Sequence, residues 1–189
     1  LGIWARNSMN SPGFRRLLAY FGCLGFGFIV VEICLMKRYV LFLGNPAYSI
    51  TTILVALLLG AGLGSIFSQR LGCRPTWSLK LVLPIVPLAI LGEMMLAPLV
   101  FEACLHYSFA GRIMIASAML LPLGFVMGMP FPLGLQLIGT LSHSEEARSK
   151  MVAWAWGING YMTVVGSALS VFVALLWGFR SVLALGMAT

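Results

Sequence analysis

The feature that most constrains this chain is its succession of apolar runs, each long enough to cross a hydrocarbon core. Leu17 to Met36 is about 20 residues of mainly apolar sequence with one charge, Glu32, inside it. Three comparable runs follow at about 51–67, 81–103 and 112–139, and a fifth at about 153–178. The short stretch from Ser181 to Thr189 begins a sixth that is too short to span. Of the 189 residues 60% are hydrophobic and only 9% charged, and the mean hydropathy is +1.00. Soluble domains of this length do not have that composition. In lipid every backbone polar group must be satisfied within the protein, so apolar runs of this length form helices. The expected fold is all-α, a polytopic transmembrane helix bundle with about five full crossings and the start of a sixth.

Residues 1–16, with Arg6, Arg15 and Arg16, form a basic linker arriving at a membrane surface, and residues 17–189 form the transmembrane helical domain. Leu1 is no initiator, and the chain reads as a piece of a longer protein. The first helix is expected over roughly 17–43, ending at Gly44-Asn45-Pro46, a glycine cap followed by a proline. In the second crossing Gly60 and Gly64 make a GxxxG pair that lets another helix approach closely. The fourth is expected to be interrupted by Pro122 and by Gly128-Met129-Pro130-Phe131-Pro132. With the N-terminus cytoplasmic, eight Lys and Arg fall on that side (Arg6, Arg15, Arg16, Arg70, Arg74, Lys80, Arg148, Lys150) and four on the other (Lys37, Arg38, Arg112, Arg180). That bias sets an N-in orientation, consistent with a bacterial inner membrane. Trp154, Trp156 and Tyr39 are expected near the interfaces.

The net charge of +7 is spread among apolar runs, a topology signal and not a nucleic-acid patch, so the expected partner is the bilayer and no nucleic acid. The four cysteines lack metal-ligand spacing, and no P-loop, HExxH or GxSxG occurs; no catalytic residue, metal site or cofactor is expected in this chain. The candidates for chemistry are therefore its charges within lipid. Glu32, Lys37, Arg38, Glu93 and Asn159 form a candidate intramembrane polar site. Glu32 and Lys37 lie 140° apart around the helix at 100° per residue, so these charges need partners on other helices. Either they serve a proton relay or a charged solute, or they are structural ion pairs or snorkelling ends, and Glu93, near the middle of its crossing, is either functional or a protonated or hydrogen-bonded carboxyl holding two helices together. Glu102, His106 and Arg112 form a candidate interfacial cluster, either titrating or a salt bridge. Asn159, between Gly157 and Gly160, is placed to hydrogen-bond a neighbour approaching over those glycines.

Several blocks, in order, resemble a known family: Tyr20-Phe21 through Gly27-Phe28, Val31-Glu32-Ile33, Lys37-Arg38, Leu41 to Pro46, Gly62 to Ser65, Met127 to Gly134, Trp154 to Gly160, and Gly166-Ser167. Over residues 17–189 the chain resembles the membrane module of bacterial spermidine-synthase-like proteins. The resemblance implies a soluble Rossmann-like domain upstream, related to aminopropyltransferases and methyltransferases that use S-adenosylmethionine, with residues 1–16 as the tail of the connection. The glycine-rich loop and the aspartates on which such transferases rely have no counterpart, since the chain contains no Asp, and no catalytic residue transfers to any position. A second stretch, Gly64 to Arg74, is similar to the basic loop of major-facilitator transporters, with Ser68 where an acidic residue is expected. Three readings follow: a membrane module anchoring a transferase domain and forming an intramembrane pocket for an amine or lipid-like substrate, a transporter-like half bundle for a small charged or amine solute with Glu32 and Glu93 as its carboxylates, or a structural membrane scaffold.

Overall fold

A computed structural model describes residues 12–70, 75–142 and 144–177. Among them all regular structure is helical: α1 (Pro12–Leu43), α2 (Pro46–Arg70), α3 (Pro75–Cys104), α4 (Phe109–Met127), α5 (Pro130–Leu141) and α6 (Glu145–Trp177). Four segments are long and apolar enough to cross a membrane: Gly13–Leu43, Pro46–Arg70, Trp77–Cys104 and Phe109–Thr140, the last comprising α4 and most of α5. The chain is thus a multi-pass, all-α membrane protein. The fifth expected crossing, about 153–178, is helical through its described part, within the 33-residue α6. The sixth segment lies outside the described residues, as do Arg6, Arg74, His143 and Arg180.

The helix ends follow from a few residues. α1 starts at Pro12, five residues inside the expected linker, because proline at a first helical position loses no intrahelical bond. It stops at Gly44, whose φ of +76° only glycine adopts without strain; its N–H bonds the Val40 carbonyl at 2.9 Å. Asn45 then caps α2, its Oδ1 accepting from the N–H of Ala47 at 3.1 Å, with Pro46 as the first helical residue. Pro122 leaves α4 unbroken, against the expected interruption. The break falls at Gly128-Met129, and Pro130 and Pro132 sit in the first turn of α5, where their missing N–H groups cost nothing. Pro84, Pro87 and Pro98 likewise lie inside a continuous α3.

The described residues divide into two compact units, those up to residue 30 with those from 134 onward, and those between 31 and 133. In the second, α2 and α4 are the most extensively packed helix pair. A methyl group added at Gly60 or Gly64 would overlap the carbonyl oxygen of Leu121 or Phe125, and one at Gly124 or Gly128 that of Leu57 or Ala61. Each glycine therefore lies on the carbonyl three residues before its counterpart on the other helix, so the two GxxxG faces are related by a local two-fold. The helices run parallel, as second and fourth crossings must. Glycine is required because backbone approach this close replaces the solvent-driven packing that lipid does not supply. At the far end of this unit Tyr48 of α2 meets Phe109 of α4 (ring centroids 5.3 Å apart), and at the near end Val82 of α3 packs on Met129 and Leu133. The starts of α2 and α4 thus share one end and the start of α3 the other, an up-and-down order.

In the first unit α1 and α6 also run parallel. Phe14 meets Trp154, Gly22 meets Ile158 and Met162, Gly25 meets Asn159, and Gly166 meets Phe26 and Ile29. Gly134 of α5 lies over the rings of Tyr20 and Phe21. Parallel α1 and α6 are what three intervening crossings, α2, α3 and α4 with α5, require.

Gly62 has open space around its α-carbon, whereas Gly64, two residues on, has none. Gly64→Val and Gly128→Val should each destabilise the protein by about 1–3 kcal/mol or more, and Gly62→Val should stay within about 0.5 kcal/mol, measured by unfolding in mixed micelles.

Candidate functional site

The buried polar centre of residues 31–133 is built on α1 and α3. Glu93, 8% exposed, is the only buried carboxylate among the described residues, and it accepts a hydrogen bond from the hydroxyl of Tyr39, which is completely buried. The Arg38 guanidinium lies within electrostatic reach of both groups. The rings around them are closely fitted: Phe101 meets Tyr39 edge to face with centroids 5.0 Å apart and stacks on Phe42 at 4.3 Å. A carboxyl group in this apolar setting requires a donor, and Tyr39 supplies it from the neighbouring helix. The Tyr39 hydroxyl is thus committed to Glu93 inside the protein.

Of the five residues expected in one intramembrane site, the structure brings Glu93 and Arg38 together and adds Tyr39. Glu32 is half-buried on α1 and makes no hydrogen bond or ion pair among the described residues. Lys37 is exposed. Asn159 belongs to the other unit and is taken up by packing: its Nδ2 donates to the Phe21 carbonyl at 3.1 Å, and Thr163 Oγ1 donates to the Gly25 carbonyl at 3.3 Å. The close approach that permits this occurs at Gly25 of α1, not at Gly157 or Gly160, which face open space.

The proposed interfacial cluster does not assemble. Glu102 and His106 are exposed, and His106 stacks against Tyr107 with centroids 4.3 Å apart. Arg112 turns instead to the end of α1, where its Nη1 donates to the Phe42 carbonyl at 3.0 Å. The last four carbonyls of a helix have no intrahelical partner and carry the negative end of its dipole, so a guanidinium is well matched to them. Arg112, Phe42, Phe101, Tyr39 and Glu93 form one continuous set of contacts that ties α1, α3 and α4 together.

Sequence reasoning singled out Glu93 but missed Tyr39, because the bond joins residues 54 apart and nothing in local spacing announces it. Among the described residues no three of His, Cys, Asp and Glu are grouped to hold a metal ion. The geometry is that of a satisfied polar contact between helices, with no second buried carboxylate beside Glu93 among the described residues.

No protein-family model, curated protein or solved structure matches the chain. The role of the pair therefore rests on its own geometry, and a double-mutant cycle measures it. Tyr39→Phe and Glu93→Gln should show a coupling of about 1 kcal/mol in unfolding experiments in micelles. Glu93→Met in the Tyr39→Phe background should recover part of the stability, since an apolar side chain leaves no polar group unpaired.

Proposed function

We propose that this chain is the membrane module of a spermidine-synthase-like protein and that it anchors an upstream transferase domain at the cytoplasmic face. The observation that carries the anchoring role is the way the polar groups are used. Glu93 is answered by Tyr39, the Arg112 Nη1 by a helix end and Asn159 by a backbone carbonyl, while the buried Arg112 Nε has no partner among the described residues and glycine-on-carbonyl contacts hold the helices together. Such a bundle is suited to holding a domain in place. The transferase identity of the parent rests on the sequence resemblance alone, and the cytoplasmic N-terminus on the distribution of Lys and Arg.

The transporter-like reading has one observation in its favour, the half-buried Glu32 without a partner among the described residues. A carboxylate at that depth is otherwise costly. It stands second because Glu93, the other carboxylate that reading needs, is occupied by Tyr39.

The deciding experiment uses the natural full-length protein. It should sediment with carbonate-washed membranes, carry aminopropyl- or methyl-transfer activity, and keep its upstream domain protected from protease added to intact cells. Removal of residues 12–189 should release that domain in soluble, active form. A protein without an upstream transferase domain, or one whose upstream domain is digested from outside, contradicts the proposal.

A further inference from the structure

The end of the first unit at which α1 and α6 both begin is strongly basic in a way that helix packing does not use. Contact between Phe14 and Trp154, with ring centroids 6.4 Å apart, brings the first turn of α1 and the first turns of α6 to the same end. This end carries Arg15, Arg16, Arg148 and Lys150 against Glu145 and Glu146, four cations and two carboxylates. The carboxylates are already engaged: Glu145 lies 3.5 Å from Arg148, and Glu146 accepts from Lys150, whose hydrogen bond and charge hold the Glu146 carboxyl below its usual range. Arg148 also lies across Gly139 of α5.

Arg15 and Arg16 are different. Both are exposed, and neither makes a hydrogen bond or ion pair among the described residues. No acidic residue precedes Glu32 anywhere in the sequence, so the first 31 residues offer them no carboxylate. The start of α1 adds the positive end of its own helix dipole beside them. The apolar run of α1 begins at Leu17, directly after Arg16, so the two arginines flank the stretch that enters the hydrocarbon core. The two guanidinium groups therefore stand in the headgroup layer, where the anionic group at hand is a phosphodiester that guanidinium binds in bidentate fashion.

We propose that Arg15 and Arg16 form a binding surface for anionic phospholipid headgroups, with the ion-paired first turns of α6 beside it. The test uses the whole chain in a neutral detergent, titrated with phosphatidylglycerol or with phosphatidylcholine, and reads lipid retention by native mass spectrometry and thermal stability. Phosphatidylglycerol should be retained in preference. Its apparent affinity should fall about 30-fold in R15Q/R16Q, roughly fivefold per arginine, and stay within about fivefold of wild type in R15K/R16K. Raised salt should weaken the preference in the wild-type chain, a readout that needs no substitution.

Equal retention of the two lipids, a preference indifferent to salt, or an R15Q/R16Q chain of unchanged helicity that keeps full preference overturns the proposal. Displacement of the lipid effect by millimolar inorganic phosphate would assign the surface to free phosphate and overturn it equally. None of these readouts depends on an upstream transferase domain.

Discussion

The contact of glycine α-carbons with backbone carbonyls is the interaction on which the structure of residues 31–133 depends. In water, burying large apolar side chains would drive helices together; in a bilayer, lipid tails solvate those side chains as well as a neighbouring helix does. Leu58, Leu59, Leu63 and Ile66 are accordingly exposed on α2, while Gly60 and Gly64 are buried against α4. Association then rests on dispersion and weak Cα–H···O contacts over a long, close seam. Because the faces of α2 and α4 are related by a local two-fold, each glycine protects the other's site, and the seam tolerates a larger residue at neither helix.

The polar contacts are arranged around that framework. Tyr39 and Glu93 join α1 to α3 on one buried hydrogen bond, and Arg112 closes the end of α1 from the start of α4. In the other unit Asn159 and Thr163 of α6 do the same against α1 over Gly25. Groups that are costly in lipid are thus used to specify which helix meets which and in what register. Glu32 makes no hydrogen bond or ion pair among the described residues, and the arginine pair at the start of α1 is exposed.

The local signals were legible in the sequence because each is set by neighbouring residues. Gly44-Asn45-Pro46 states a left-handed cap, a side-chain cap and a first-turn proline in order, and all three are found. The Gly60 and Gly64 face is legible as GxxxG, whereas its mate, Gly124 and Gly128, has the same spacing but ends where Gly128 opens a proline-rich break. Pairing of such faces depends on the order of crossings, which one helix does not contain. The Glu102, His106 and Arg112 cluster failed for a related reason: charge complementarity along the chain favours it, but the unsatisfied carbonyls at the end of α1 compete for Arg112 and lie closer. Pro122 failed as a breaker because in lipid an opened helix exposes more unpaired backbone than one missing N–H does.

Solid-state NMR of the chain in bilayers tests the glycine seam without altering it. With 13C at the Gly64 α-carbon and at the Phe125 carbonyl, a strong through-space cross-peak is expected, and likewise between Gly128 and Ala61, with none between Gly62 and Phe125. Helical chemical shifts throughout α2 and α4 without the Gly64 to Phe125 and Gly128 to Ala61 cross-peaks would contradict the account.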